Sequence, residues 1–417
     1  MIGIQHTQKQ SYIPVLAVLL ALFQIFISPD PEKENHQLHV NQTDSVRVSL
    51  YGLDRPNSVR ITNIYARATY FIDGESAALP EKGVDGTLTL DDGQLIFHLA
   101  DGDFLIDSLQ IASSSTSTRL ISDEHGYRHY SGSLLFKPHS VASGLFIINT
   151  VDLEAYIASV VGSEMDFEHP EALKAQSVVS RTYALWSVKK SPYSAFDLRD
   201  HEASQVYFGN IPDKPRYRRA AEATRGEILT WSNKLILAVF SSTCGGQTVN
   251  NSSVWGGIDH PYLTSQSDAD ACSISPHFKW SYSMPETRFR EIVRDYYGFN
   301  AERKEIETGP SGRVKTVMLT DQNADTISFT GNEFRLFINR YAGPLALRST
   351  KYDWDVQNDT LRFEGYGLGH GVGLCQWGAL GFAESGWTYK DILSFYFSGT
   401  KVVNLNTMEN DTITLFN

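Results

Sequence analysis

Hydrophobic and polar positions change their period twice along this 417-residue chain. From about residue 45 to 150 apolar and polar residues alternate. "VRVSLYG", "GTLTL" (Gly86 to Leu90), "QLIFHLA" and "LLFKP" read as strands with one buried face, and Asp91-Asp92-Gly93 and Asp101-Gly102-Asp103 read as turns between strands. Ser113 to Thr118, "SSSTST", reads as a loop. The period then lengthens. In "VDLEAYIASVVG", Leu153, Tyr156, Ile157, Val160 and Val161 recur at helical spacing, with Asp152 as the cap or a first-turn acid and Gly162 as the closing residue. A second helix starts at Pro170 in "HPEALKAQSVVSRTYALWSVKK" and ends near Lys189 and Lys190. It is apolar on most sides, yet it carries Gln176 and Arg181, and buried polar groups need partners.

Beyond it, strands and helices mix. "YRRAAEATRGEIL" reads as a helix ending near Gly226. "KLILAVFSS" reads as a strand entering "TCGGQT", and "RFREIVRDYYG" as a helix closed by Gly298. "GRVKTVMLT" and "TISFTG" read as strands and "NEFRLFINRYAG" as a helix. The end, from "LRFEGYG", reads as strand, glycine loop, helix, turn, helix, with Thr388 and Asp391 as a capping box. This pattern predicts an α+β fold with a β-rich N-terminal region. The expected divisions are a signal peptide or signal anchor (1–28), a polar linker (29–44), the β-rich region (45–150), a mixed domain (151–405) and a tail (406–417).

The N-terminal division rests on Ile13 to Ile27, "IPVLAVLLALFQIFI". It suits a signal-peptide core and is short for a full span. No small-x-small cleavage site follows, so an uncleaved anchor over residues 12–28 is favoured, with membrane contact through that segment alone. The body is expected outside the cytoplasm, in the periplasm or cell wall. Net charge is −12, and the densest basic cluster is Lys214 to Arg219, "KPRYRR". A nucleic-acid partner needs a basic face, so none is expected.

Three sets of residues can carry chemistry. Glu164 sits at the joint between the two apolar helices, beside Met165. Burial would raise its pKa toward that of a general acid, whereas a nearby guanidinium would lower it. Five glycines alternate through "GYGLGHGVG" (Gly365 to Gly373). The spacing is neither G-x-G-x-x-G nor a Walker motif, so a nucleotide site is not expected. His370, in mid-loop, is either a site residue or a loop hydrogen-bonder. Cys244, Cys272 and Cys375 leave several readings open. They are a Cys244–Cys272 disulfide with one thiol over, a structural zinc held by the three cysteines with or without His277, or a Cys375 nucleophile that lacks a visible orienting acid.

"SEM…HPEALKAQSVVSRTYAL" resembles the signature of the SpoIID/LytB family of bacterial cell-wall proteins. The resemblance continues in order through "SQVYFG", "ATRGEILTW", "STCGGQT…VWGG…PYL", "SGRV", "LRSTKYDW" and "GYGLGHGVGLCQWGALGFAESGWTYKDILSFYF", from about Val151 to Lys401. It implies a SpoIID-like arrangement around a glycan groove. It also implies an exported lytic transglycosylase that cleaves the MurNAc–GlcNAc β-1,4 bond of denuded peptidoglycan to 1,6-anhydro ends. The family's catalytic acid falls on Glu164. Gln176, Arg181, Tyr207, His370 and Gln376 become candidates for positioning the glycan. The chemistry requires no cofactor, and zinc is known in the family. The implied partners are glycan strands and an N-acetylmuramoyl-L-alanine amidase. The alternative is a non-catalytic amidase enhancer. This chain departs from the pattern at His169-Pro170, where Trp-Pro is common, and at Asp268, near which some members carry a further cysteine.

Overall fold

The alternating segments of the N-terminal region pair into two antiparallel sheets in a computed structural model of the chain. The structure describes residues 44–407 apart from 63–67, 78–84, 114–116, 140–143, 192, 194, 211–213 and 310. The expected N-terminal segment (1–28), nearly all of the linker, the middle of the Ser113–Thr118 stretch and the tail beyond residue 407 lie outside the described residues. Among the described residues no helix is long and apolar enough to cross a membrane.

The first sheet has seven strands in the order Leu198–Arg199, Ser45–Leu50, Leu145–Asp152, Ser133–Pro138, Leu109–Ser113, Ala68–Ile72 and Glu75–Ala77. The second has six, ordered Gly126–Tyr130, Thr118–Ser122, Ser58–Thr62, Asp85–Asp91, Gln94–Leu99 and Gly102–Ile106. Period-2 patterning accounts for them. In Ser45–Leu50, Val46, Val48 and Leu50 are fully buried. The strand Leu198–Arg199 comes from far along the chain and pairs in parallel with Val48 and Ser49, so the loop that follows it is fixed to the sheet.

Leu145–Asp152 leads directly into helix α1 (Leu153–Glu164), and helix α2 (Pro170–Lys190) follows after a short connection. Asp152 caps α1 by accepting from Ala155 N, as the sequence predicts. Gly162 does not close the helix: it takes no positive φ, the turn continues, and the break falls at Met165. Glu164 is therefore the last helical residue, not one beyond the end. Pro170 opens α2 at its first position and His169 caps it. Helix α3 (Pro215–Ala223) is shorter than the pattern predicts, and "KLILAVFSS" forms strand only at Lys234–Leu235 and Phe240–Ser241.

One continuous core links the N-terminal sheets, α1, α2 and the C-terminal helices. A second core lies between Trp280 and Phe363. It is built on strands Lys279–Pro285, Tyr352–Gln357 and Thr360–Tyr366, on strands Arg303–Thr308, Val314–Thr320 and Thr326–Thr330, and on helices α4 (Glu286–Tyr297) and α5 (Gly331–Ala342). Phe289, Phe334, Phe337 and Phe363 fill it. This aromatic unit is inserted just before the glycine loop, after which come helices α6 (Gln376–Glu384) and α7 (Tyr389–Tyr396). The fold is α+β, as its patterning predicts.

Candidate functional site

Glu164 ends α1 at a point where the helix has nothing further to donate to its side chain. The donor comes instead from the loop that follows Leu198–Arg199: Val206 N donates to Glu164 Oε1 at 2.7 Å. One backbone hydrogen bond is modest compensation for a half-buried carboxyl. Burial raises its pKa to about 7, the Val206 bond opposes that, and the nearby Glu202 charge adds to it. Tyr156, two turns back on α1 and fully buried, also feels the Glu164 charge.

Asp166 lies two residues on and behaves in the opposite way. It is exposed and accepts from Lys214 Nζ at 2.7 Å, Arg216 Nη2 at 2.5 Å and Tyr217 Oη at 2.6 Å. These partners, Lys214 foremost, hold its pKa down at about 2. Arg216 also pairs with Glu168 at 3.1 Å. Two carboxyls in one short joint are thus driven apart: one is kept ionised by cations, the other is poised near neutrality by burial. That separation is how environment assigns an acid its role.

The loop that reaches Glu164 is itself pinned. Tyr207 N donates to Asp200 O at 3.2 Å, and the Asp200 carboxylate accepts from Tyr51 N at 2.8 Å. Tyr207, expected at the glycan, is 1% exposed and donates to Asn149 Oδ1 at 2.7 Å. It anchors the loop to the first sheet. Arg181 and Gln176 are each 0% exposed. The carboxylate that Arg181 needs is Glu154, gripped by Nε at 2.8 Å and Nη2 at 2.5 Å, while Ala221 O and Glu227 O accept from the same guanidinium. Arg181 therefore ties α1 to α2 and to the stretch after α3, and does not oppose the raised pKa of Glu164. Gln176 donates to Ser180 Oγ at 3.0 Å and accepts from Gln376 Nε2 at 3.5 Å. Both glutamines lie inside the helix packing.

The glycine loop approaches protein, not an open phosphate cradle. Leu368 N and Thr243 N exchange hydrogen bonds with each other's carbonyls, and Trp280 Nε1 donates to Gly367 O at 2.9 Å. Gly367 and Gly371 take positive φ of 80° and 75°. A Cβ at Gly371 would run into the Arg313 guanidinium. His370 Nδ1 accepts from Val372 N within the loop at 3.0 Å, and its ring donates to the carbonyl of Phe240 on the strand Phe240–Ser241. Burial, with Arg313 nearby, lowers its pKa to about 4, so it is neutral at pH 7. It bonds the loop. What reaches the Glu164 joint is α6: Trp377 packs edge-on against Phe167 with ring centroids 4.8 Å apart.

The three cysteines are free and fully buried. Their sulfurs converge: Cys244 Sγ and Cys375 Sγ lie 3.7 and 3.6 Å from Cys272 Sγ. The fourth member is Asp268, whose Oδ1 lies 2.7 Å from Cys244 Sγ and whose Oδ2 accepts from Tyr396 Oη at 2.5 Å. His277 is not part of the cluster; its Nδ1 faces Arg348 Nη1 at 3.0 Å. One ligand atom from each of the four lies within 4.8 Å of the others. Three sulfurs at these separations match the edges of a tetrahedron whose metal–sulfur bonds are about 2.3 Å, and a thiolate–carboxylate set suits zinc. Thiolate character falls on Cys272: the Cys244 and Cys375 thiols point toward it and hold its pKa well below the usual thiol range. A Cβ on Gly378 would strike Tyr396 Oη and Asp268 Oδ2. Gly378→Ala is therefore expected to cost about 1–3 kcal/mol, seen as a lower thermal midpoint; an unchanged midpoint would contradict this packing.

Pattern reading missed Val206, Glu202 and Glu154. The Val206 donor is a backbone group and leaves no mark in a sequence. Asp268 was visible only as a departure from the cysteine pattern.

The SpoIID family model, described as "Stage II sporulation protein", matches residues 142–231, the stretch that holds Glu164, α2 and the Val206 loop. Over 285 residues the chain is 31% identical to an uncharacterised protein of Brachyspira hyodysenteriae, covering 68% of this chain and 74% of that one. It is 30% identical over 282 residues to stage II sporulation protein D of Bacillus subtilis, covering 63% and 78%. It is 26% identical over 279 residues to the amidase enhancer of the same organism, covering 56% and 38%.

Proposed function

This chain belongs to the SpoIID/LytB family, and from that premise we propose that it is a lytic transglycosylase of peptidoglycan acting outside the cytoplasm, with Glu164 as its acid and base. The observation that carries the reading is Glu164 itself: a half-buried carboxyl with a pKa near 7, held by one backbone N–H at a helix end. Below pH 7 it is protonated and can give its proton to the glycosidic oxygen as the C1–O4 bond breaks. The resulting carboxylate, now favoured by Val206 N–H, takes the proton of the sugar's own C6 hydroxyl. O6 then bonds to C1, and no water is consumed. One carboxyl thus serves both steps, whereas hydrolytic glycosidases generally use two. Asp166, ionised and tied to three partners, takes neither role.

The rate should follow the protonated fraction of Glu164. Cleavage measured as kcat/KM against pH is expected to fall about tenfold per unit above pH 7. A profile flat from pH 6 to 9 would sink this assignment. The competing reading is a glycan-binding enhancer of an amidase, favoured by the relative of that name. It predicts faster amidase turnover when the protein is added, with glycan chain lengths unchanged.

Cys244, Asp268, Cys272 and Cys375 would hold a zinc ion. Four protein ligands and full burial suit a structural ion, which would tie the "STCGG" loop, the Asp268–Cys272 turn and α6 together. Elemental analysis of protein purified without chelator should find one zinc per chain, and its removal should lower the thermal midpoint. Metal-free protein with an unchanged midpoint would refute the site.

A further inference from the structure

Three glutamines and a serine lie between the C-terminal helices and the Glu164 loop, at 4% exposure for Gln376 and 0% for Gln176, Ser180 and Gln205. They are linked in sequence. Gln376 Nε2 donates to Gln176 Oε1 at 3.5 Å, Gln176 Nε2 to Ser180 Oγ at 3.0 Å, and Gln205 Nε2 to Ser180 O at 3.2 Å. Burying amides is costly unless each finds partners, and apolar residues would fill the same space at less cost. The far end of the chain of bonds explains the arrangement. The Gln205 carbonyl and Val206 N–H share one rigid peptide plane, and that N–H is the donor to Glu164.

We propose that Gln205 is a positioning residue for Glu164: its amide, clamped on Ser180 of α2 and backed by Gln176 and Gln376, fixes the peptide plane that presents Val206 N–H to the carboxyl. The inference rests on the reading of Glu164 as the acid and base. Gln205 cannot touch a glycan, because none of it is exposed. Other bonds hold the ends of the loop: Tyr207 donates to Asn149 and to Asp200 O, and Arg199 N donates to Ser204 Oγ. Tyr183 of α2 also meets Ser204. Gln205 is the tether next to the donating peptide. Its Oε1 finds no hydrogen-bond partner among the described residues, so its hold on α2 is through Nε2 alone.

The consequence has a definite sign. The Val206 bond favours the carboxylate, while burial and Glu202 on the same loop disfavour it. Losing the bond leaves the largest of these, burial, unopposed, so Glu164 keeps its proton to higher pH. If Glu202 moves away with the loop, it removes only a lesser contribution.

Gln205→Met keeps the volume and removes the donor. With glutamate labelled at its carboxyl carbon, and the Glu164 signal identified by its loss in Glu164→Gln, NMR titration reads the site without any substrate. The midpoint of Glu164 is expected to move up by about one pH unit. A folded Gln205→Met protein whose Glu164 titrates as in the parent would overturn the inference. Should that variant not fold, Gln205→Asn, which keeps the amide but falls one methylene short of Ser180, is read in the same way. The alkaline limb of glycan cleavage should move by the same amount. A shifted titration with no cleavage in the parent protein would leave the positioning role standing and remove the catalytic reading instead.

Discussion

Glu164→Gln is expected to lower glycan cleavage about a thousandfold while making the protein more stable at alkaline pH. The loss follows from removing the proton donor, since general acid–base catalysis contributes on the order of 10²–10⁴-fold. The gain follows from linkage. A glutamate titrates near 4.5 in the unfolded chain and near 7 at this site. Between those values the folded state binds more protons than the unfolded state, so stability falls as pH rises through that window. Its contribution is fully present below about 4.5 and gone above about 7, a difference of about 3 kcal/mol. Glutamine carries no such penalty and can still accept from Val206 N. Denaturant unfolding at pH 4 and pH 8 should show variant and parent close together at pH 4, with the variant ahead at pH 8. A constant difference between them at both pH values would mean that Glu164 is not held protonated by burial.

Arg181→Leu is expected to be the most damaging single change to the scaffold. Arg181 is fully buried and makes two bonds to Glu154, which is 6% exposed. It also serves Ala221 O at 3.1 Å and Glu227 O at 3.1 Å. Removing it leaves a buried carboxylate without its cation, which typically costs about 3–5 kcal/mol. The urea midpoint should fall accordingly. Adding Glu154→Leu should recover much of the loss, because the stranded charge goes with it. A loss below about 1 kcal/mol for the single variant, or no recovery in the double, would show that the pair is not the tie between α1 and α2. Since α1 carries Glu164 and α2 carries the Gln205 clamp, the variant should lose activity along with stability.

Periodicity placed α1 and α2 because their apolar faces are long and regular, and it marked Glu164, Gln176 and Arg181 because each breaks an apolar run. It could not say where the polar groups point. The spacing alone leaves Arg181 free to serve either glutamate. The fold gives it Glu154, so its guanidinium does not oppose the burial that raises the pKa of Glu164. Tyr207 and Gln176 looked like groups for a ligand, yet their hydroxyl and amide are used to join elements. The glycine run announced a close approach but not its object, which is the protein's own "STCGG" loop and Arg313. Cys244, Cys272 and Cys375 are 28 and 103 residues apart in sequence, so their convergence rests on tertiary contacts that spacing does not encode. Asp268 took the place in the cluster that His277 was expected to fill. The strand expected across "KLILAVFSS" is interrupted because only its ends find partners, Thr230–Trp231 at one and Leu374–Cys375 at the other.

The central claim, that Glu164 drives an intramolecular displacement at the sugar, is tested most directly by the mass of the ends it leaves. Denuded glycan strands incubated with the purified protein at pH 6, then analysed by mass spectrometry, should yield fragments ending in 1,6-anhydro-MurNAc, each lighter by one water than a reducing end. Glu164→Gln should leave the strands whole. Fragments with ordinary reducing ends would make the protein a hydrolase, and strands left intact by the parent protein would contradict the account altogether.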